Sequence, residues 1–392
     1  MTKPELKTQN DLKNLLQSFK QATEFWIQSI NINKFDEING FTTTTIDNPQ
    51  QELIKLIKLI KAHTTKVGII FKPTNLFKDP NVAYNTLEEL SETLVLTISI
   101  INQLENEQQE EEEAEANKEQ KKISKISKIF YDEIIDQIKL LFSSIIELNQ
   151  ELIIIINNEN EKDKTNEDGE DNDEDDDDAG RLISVGKIWS NCDSLDQLLN
   201  EGDLGLLTTK IKQSISLLDD GFEEFVTWAN NPEEIEDDPF GFSDDEEEEE
   251  EEEQDDDNDN DSLHSIIDTK ELSEFANKWV KKIELIKLLI SSFKKSSLPP
   301  PLKANPNSIL GNTIDEINNL QSNLVQLIDN FIIDLMIDRN IHDDEIIRYT
   351  KRIINQAIKL SELAMIIYNH QPLTNYEKKL KWYETFINKI SL

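Results

Sequence analysis

The chain has 392 residues and a formal net charge of −40, from 80 acidic against 40 basic side chains. Half of the acids lie in three blocks, residues 105–115, 157–178 and 233–261, which hold 7, 13 and 20 acidic side chains. Such blocks repel themselves and bury nothing, so they predict disordered acidic loops on a nearly neutral body. This balance argues against direct binding of nucleic acid, which needs Lys and Arg to neutralise phosphates, and favours basic partners or a solubilising role.

Apolar residues recur at three- and four-residue steps along most of the chain, which is the pattern of amphipathic helices. A proline-rich stretch at 296–306 interrupts the pattern, because proline cannot continue a helix. We therefore predict an all-α fold of long antiparallel helices in bundles, joined by the acidic loops. The main predicted helices, in chain order, cover 53–60, 82–104, 123–156, 181–200, 206–231, 272–293, 309–338, 343–369 and 374–390.

The acidic blocks suggest a division into domains. The predicted partition is an N-terminal helical bundle at 1–157, an acidic disordered linker at 158–180 and a C-terminal bundle at 181–392. The C-terminal bundle contains a disordered acidic loop at 233–262. A single continuous layered bundle is the alternative.

Cys192 is the single cysteine, which excludes an internal disulfide and suits a reducing compartment. The first ten residues, MTKPELKTQN, contain no apolar signal core. The densest aliphatic stretch, residues 152–156, is far shorter than the roughly 20 residues of a membrane span. We expect a soluble intracellular protein without a membrane partner.

Residue patterns give little sign of catalysis. The four histidines are not at metal-ligand spacing with Cys192, and the acidic run from Asp171 lacks the glycine and the final glutamate of a calcium loop. No glycine-rich phosphate loop is present in the sequence. We therefore predict neither an enzyme nor a metal or cofactor site.

One apolar stripe includes the cysteine. Within 181–200, a stripe at helical spacing predicts that Cys192 is a small buried hydrophobe, with a reactive thiol as the alternative. The members of the stripe are Leu182, Val185, Trp189, Cys192, Leu195 and Leu199.

A short aromatic motif precedes the longest acidic run. It consists of Asp238, Pro239, Phe240, Gly241 and Phe242, where proline and glycine preclude a regular helix. Two interpretations are open: the phenylalanines plug the end of the bundle, or they form a docking peptide. Ser243 is followed by Asp244, Asp245 and Glu246, a pattern typical of substrates of acidophilic kinases, so it is a candidate phosphorylation site.

The order of several segments resembles the cyclin-D-interacting protein family, whose animal members are also described as maternal Id-like helix-loop-helix proteins. The segments are RLISVGKIWSNCDSL (181–195), FEEFVTWANN (222–231), DDPFGFSDDEE (237–247) and KWVKKIELIKLLISSFKK (278–295). The residues that carry this signature, and that become candidate partner contacts, are Trp189, Cys192, Asp193, Asp238, Pro239, Phe240, Gly241 and Phe242.

The resemblance implies a helical bundle similar to those of vinculin and talin, without catalysis and without a cofactor. It also implies binding to D-type cyclins and signalling adaptors, negative regulation of cell-cycle progression, and a location in cytoplasm and nucleus. This chain departs from the family pattern in its long acidic insertions at 105–120 and 157–178.

Two further partner hypotheses come from the residues. Residues 181–200, 201–205 and 206–231 read as a helix, a loop and a helix without a preceding basic region, so they could pair with a helix-loop-helix factor and inhibit transcription. The competing interpretation is that both apolar faces are buried in the protein's own bundle. The 20 acids of 233–261 suggest an alternative function as a chaperone for histones or other basic proteins. A cytoskeletal adaptor rests on the analogy with vinculin and talin alone.

Overall fold

A computed structural model describes residues 7–31, 46–71, 80–109, 126–162, 174–232, 259–298, 309, 311–369 and 377–392. The described residues form helices and contain no strand, which confirms the predicted all-α class. The helices are α1 (Gln9–Asn31), α2 (Pro49–Ile70), α3 (Pro80–Gln109), α4 (Lys128–Lys162), α5 (Glu174–Asn230), α6 (Asp259–Ser291), α7 (Gly311–Asp338), α8 (Asp344–Asn369) and α9 (Glu377–Ser391).

The chain forms two compact units. The first contains Met1–Asp203 with Leu310–Asn312, and the second contains Leu204–Ile309 with Thr313–Leu392. The change from one unit to the other falls inside α5, next to Gly202, where φ is 70° and ψ is −172°. This conformation is essentially restricted to glycine, so Gly202 breaks the helix at the point where the first unit ends.

This division differs from the predicted one, which separated the domains at the acidic residues 158–180. Helix α4 continues to Lys162 and α5 starts at Glu174, so both helices extend into that range, and residues 163–173 lie outside the described part. The N-terminal half of α5 belongs to the first unit because it buries its apolar stripe there. The unit boundary therefore follows the burial of apolar residues and the break at Gly202, not the position of the acidic charge.

The first unit has an aliphatic core made by α1 to α4 and the N-terminal half of α5. Helix α2 packs against α3, and α1 packs against both α3 and α4. Each helix contributes fully buried side chains, among them Leu16, Ile57, Leu94, Ile138 and Leu195. Helix α4 begins where the buried Ser127 accepts a hydrogen bond from the Phe130 amide at 3.2 Å, which is a helix N-cap.

Helix α4 is also long and apolar enough to cross a membrane, over Lys128–Asn157. Half of its most apolar 18-residue window is buried inside the first unit. Its exposed positions recur at helical spacing and are mostly polar, including Asp132, Asp136, Glu147 and Gln150. A buried apolar face and an exposed polar stripe are typical of the core helix of a bundle.

The second unit is built around aromatic side chains. The ring of the fully buried Phe331 on α7 lies 4.7 Å from Trp279 of α6, and 6.4 Å from Phe225 of α5 and from Phe275 of α6. Helix α9 joins this unit through the hydroxyl of Tyr383, which donates a hydrogen bond to the Ser292 Oγ at 2.9 Å. Residues 233–258 of the predicted acidic loop at 233–262 lie outside the described part of the chain, and α6 already begins at Asp259.

Candidate functional site

Helix α2 and the N-terminal half of α5 run antiparallel in the first unit, and their contacts fix the register. The Gln50 side chain donates a hydrogen bond to the Leu199 carbonyl at 2.6 Å. Farther along α2, the Lys61 Nζ lies 2.5 Å from the Asp193 Oδ1. At the other end, a Cβ added to Gly68 would lie 3.3 Å from Val185, so glycine permits the close approach of the two helices there.

The start of α2 is set by its sequence. Asn48 precedes the helix, and its side-chain oxygen accepts a hydrogen bond from the Gln51 amide at 3.1 Å. Pro49 occupies the first helical position, where its missing amide proton and fixed φ suit a helix start.

Six exposed residues and the half-buried Lys61 line the outer side of this junction, which we call the α2–α5 seam. On α2 the outward positions follow a helical spacing of four and seven residues, and on α5 a spacing of three and four. The seam residues are Lys58, Lys61, Ala62 and Ile69 on α2, and Gly186, Trp189 and Asp193 on α5.

Trp189 is the aromatic side chain of the seam, and 39% of its surface is exposed. The prediction that Trp189 lies on the buried stripe is therefore wrong. The neighbouring Ile188, which is fully buried, occupies that place in the core. Helical periodicity alone does not distinguish two adjacent apolar residues, and packing gives the interior position to the branched aliphatic side chain. The remaining described members of the stripe (Val185, Cys192, Leu195 and Leu199) are buried as predicted.

One charged side chain lies near the ring of Trp189. The Lys61 Nζ lies 6.0 Å from the centre of the Trp189 ring, at the limit of a cation–π contact. The same ammonium is paired with Asp193, and Lys58 lies 3.7 Å from the Asp196 Oδ1 one turn away. The seam is therefore an aromatic face bordered by lysines that are already paired.

The opposite side of α5 is fixed to α4. Lys187 Nζ lies 2.8 Å from the Glu147 carboxylate, and the Ser184 hydroxyl donates to Glu151 at 2.5 Å. The Asn191 amide donates to the Ser144 Oγ at 2.9 Å. Contacts on two sides make this half of α5 a rigid support for Trp189.

Cys192 lies one turn from Trp189 and faces the interior. It is 1% exposed, which confirms the predicted burial. Burial raises the pKa of its thiol to about 12, against a smaller opposing effect of Lys61. A thiol with this pKa stays protonated at neutral pH, so it packs as an apolar group.

His63 lies on the other flank of α2, where its Nδ1 is 3.2 Å from the Glu89 Oε2. Burial lowers the pKa of His63, while Glu89 acts in the opposite direction. Among the side chains that the structure describes, no group of three or more His, Cys, Asp or Glu residues is arranged to hold a metal ion.

The other predicted site residues lie outside the described part of the chain. These are Ser243 and the motif Asp238, Pro239, Phe240, Gly241 and Phe242. The plug and docking-peptide interpretations of the motif both stay predictions.

The kink of α5 at Gly202 falls inside residues 201–205, between the two helices of the predicted helix-loop-helix element. Each half of α5 buries its apolar face in its own unit, through Ile188 and Leu195 in the first and Ile211 and Phe225 in the second.

Residues 52–231 match a family model described as Grap2 and cyclin-D-interacting, N-terminal. Residues 52–231 therefore carry an N-terminal domain of the cyclin-D-interacting protein family. This confirms the family resemblance of the sequence. The matched residues include all of α3, α4 and α5 and nearly all of α2, so the whole seam lies within the family domain. The motif at 238–242 lies beyond it.

Two fungal proteins are similar to this chain. The uncharacterized protein YLR287C of Saccharomyces cerevisiae is 24% identical over 362 residues, which cover 89% of this chain and 88% of that protein. The uncharacterized protein C22E12.18 of Schizosaccharomyces pombe is 24% identical over 161 residues, covering 39% of this chain and 43% of that protein. The first similarity extends well beyond the family domain into the second unit.

Sequence reasoning identified Trp189 and Asp193 but missed their partner Lys61 on α2, because nothing in the sequence links α2 to α5 across more than a hundred residues. An exposed tryptophan beside paired charges is suited to recognising another protein, because aromatic anchors supply contact area with few rotamers to immobilise.

Proposed function

We propose that this protein is a non-enzymatic interaction protein that restrains cell-cycle progression by binding a D-type cyclin at the α2–α5 seam. The observation that carries the proposal is the exposed Trp189 inside the cyclin-D-interacting family domain. Action in both cytoplasm and nucleus belongs to the same proposal, since it follows from the family resemblance.

The physical support is preorganisation. Trp189 projects from a helix that is fixed by α2 on one side and α4 on the other, so binding would immobilise little further freedom. Lys61 and Asp193 already satisfy each other at 2.5 Å, and so a partner can cover them without leaving one charge buried alone. Gly186 adds open space beside the ring, since a Cβ built there meets no atom within 4 Å.

The same burial pattern favours a cyclin over a helix-loop-helix factor as the partner. Pairing with such a factor would use the apolar faces of α5, and those faces are packed inside the two units. Exposing a fully buried Ile, Leu or Phe side chain costs about 1.5–3 kcal/mol each, so helix-loop-helix pairing would require a unit to unfold. A partner that uses the seam binds the folded protein.

The experiment is a binding measurement between the full-length protein and a purified D-type cyclin. Trp189→Ala should weaken binding by about thirtyfold, which corresponds to about 2 kcal/mol for an aromatic hot spot. The matched control is Trp382→Ala on α9, because Trp382 is 37% exposed but lies outside the family domain. The control should bind like the unaltered protein. Equal binding by all three proteins would rule out the seam as the binding site. If the unaltered protein does not bind the cyclin, a D-type cyclin is ruled out as the partner.

A second candidate function is an acidic chaperone for histones or other basic proteins. It is favoured by the 20 acids of residues 233–261, none of which has a basic neighbour in that stretch. Salt-sensitive binding of purified histones should disappear when residues 157–178 and 244–261 are deleted. Histone binding that survives the deletion would contradict the chaperone role.

A further inference from the structure

The outward face of α8 in the second unit carries a run of basic side chains. Arg348, Lys351, Arg352 and Lys359 are all exposed, and we call this surface the α8 basic ridge. Residues 348–359 contain no acidic side chain, in a protein whose net charge is −40. At 1.5 Å per residue, the ridge extends over about 16 Å of the helix.

The ridge is largely unneutralised. Arg348 lies 3.7 Å from Glu345, but both side chains are more than half exposed, and such pairs contribute little. Lys351, Arg352 and Lys359 form no ion pair with any residue of the described ranges. These charges therefore have no folded acidic partner.

Other lysines of the same unit have specific contacts. Lys287 is paired with Asp219 across α6 and α5. Lys282 donates a hydrogen bond to the Ile390 carbonyl at 2.9 Å, and Lys278 donates to the Leu392 carbonyl oxygen at 2.8 Å. Lys282 and Lys278 hold the end of α9, whereas the α8 basic ridge faces outward.

We propose that the ridge binds the acidic segment 233–258 of the same chain. This segment lies outside the described residues and carries 18 acidic and no basic side chains. Both of its ends belong to the second unit, because it follows Pro232 after α5 and precedes Asp259 at the start of α6. Helix α8 packs against α6 in that unit.

The length of the segment is sufficient for this contact. Its 26 residues could extend about 40 Å from their two attachment points, since half of the chain at about 3.3 Å per residue sets the limit. Tethering at both ends gives the segment an effective concentration of order millimolar at the ridge. A separate acidic protein at cellular concentration would therefore compete poorly.

The consequence is a selectivity for partners. With the ridge occupied, its four basic side chains are not available to other acidic molecules. Neutralising the segment, by a basic partner or by high salt, would free the ridge, because exposed charge pairs weaken as the Debye length shortens. The proposal concerns the second unit alone and does not depend on cyclin binding at the seam.

Zero-length carbodiimide cross-linking of the full-length protein tests the contact. The reporter is Lys351, which has no acidic residue three or four positions away on its own helix. The control is Lys212, which is exposed on α5 and also has no acid at those positions. We expect Lys351 to be joined to carboxylates of 233–258 at low salt, the yield to fall at least fivefold at about 1 M salt, and Lys212 to stay unlinked.

A second measurement tests whether the acidic segment of the chain is what covers the ridge. A full-length variant with Glu246 to Glu253 changed to Gln should bind fluorescent poly-glutamate about tenfold more tightly than the unaltered protein. Adding Lys351→Glu and Lys359→Glu should remove that gain. Equal linking of Lys351 and Lys212, or equal probe binding by all three proteins, would overturn the proposal. In a mixture of isotopically light and heavy chains, cross-links between light and heavy molecules would place the segment on a second copy and also overturn it.

Discussion

The buried thiol of Cys192 gives the most direct test of the helix phase in the first unit. The perturbation is exposure of the native full-length protein to a small thiol reagent at pH 8. The side chain is 1% exposed, and its burial raises the thiol pKa to about 12. Reaction requires the thiolate, so the native rate should be low for two reasons, the lack of access and the lack of charge.

The magnitude follows from the two pKa values. A free thiol with a pKa near 8.5 is about a quarter ionised at pH 8, whereas a thiol with a pKa of about 12 is ionised about one part in ten thousand. Ionisation alone therefore slows native labelling by more than about a thousandfold relative to the unfolded chain. The assay follows labelling over time in buffer and in denaturant, where Cys192 should react at the rate of an ordinary cysteine.

The raised pKa also predicts a pH dependence of stability. Because the folded pKa lies above the unfolded one, the protonated thiol stabilises the first unit fully below about pH 8.5, and this contribution is lost as the pH rises towards 12. Cys192→Ala should lack this part of the alkaline decline, so the difference between the two denaturation curves isolates it from the titration of lysines and tyrosines. Native labelling at pH 8 as fast as that of the unfolded chain would refute the burial and the helix phase together.

Three further substitutions test the packing. Ile188→Ala should destabilise the first unit by about 2–5 kcal/mol in denaturant unfolding. Trp189→Ala should destabilise it less, because solvent fills the space that the ring leaves. The reverse order of the two effects would contradict the assigned phase of α5. Gly202→Ala should lower the free energy of unfolding by about 1–3 kcal/mol, because alanine is strained at a φ of 70°. Gly186→Ala, in open space inside the same helix, should instead raise it by about 0.5–1 kcal/mol. Similar effects of the two substitutions would show that alanine is not strained at position 202. Phe331→Ala should destabilise the second unit by about 3–5 kcal/mol. Hydrogen exchange should then be faster in the second unit and unchanged in the first. Faster exchange in both units would show that the substitution does not act on the second unit alone.

The sequence by itself determined the fold class and the family. Apolar spacing of three and four residues is a local property, and it fixes where helices form because each helix must bury one face. Charge was informative for the same reason: blocks of like charge cannot be buried, wherever the rest of the chain folds. The burial of Cys192 also followed from its phase within one helix, and the family resemblance followed from the order of segments such as RLISVGKIWSNCDSL.

Only the tertiary structure decided which faces meet, and the seam and the unit boundary are the clearest cases. Ile188 and Trp189 are adjacent and both apolar, so periodicity allowed either to be buried, and the competition for space in the first unit left Trp189 outside. Lys61 and Asp193 are 132 positions apart, and their 2.5 Å contact depends on an antiparallel register that no local pattern contains. The units divide at Gly202, not in the acidic stretch, because the position of a domain boundary depends on which neighbours bury each half of α5. Charge marks where a chain cannot be buried, but burial itself is a property of pairs of surfaces, and those pairs exist only in the folded molecule.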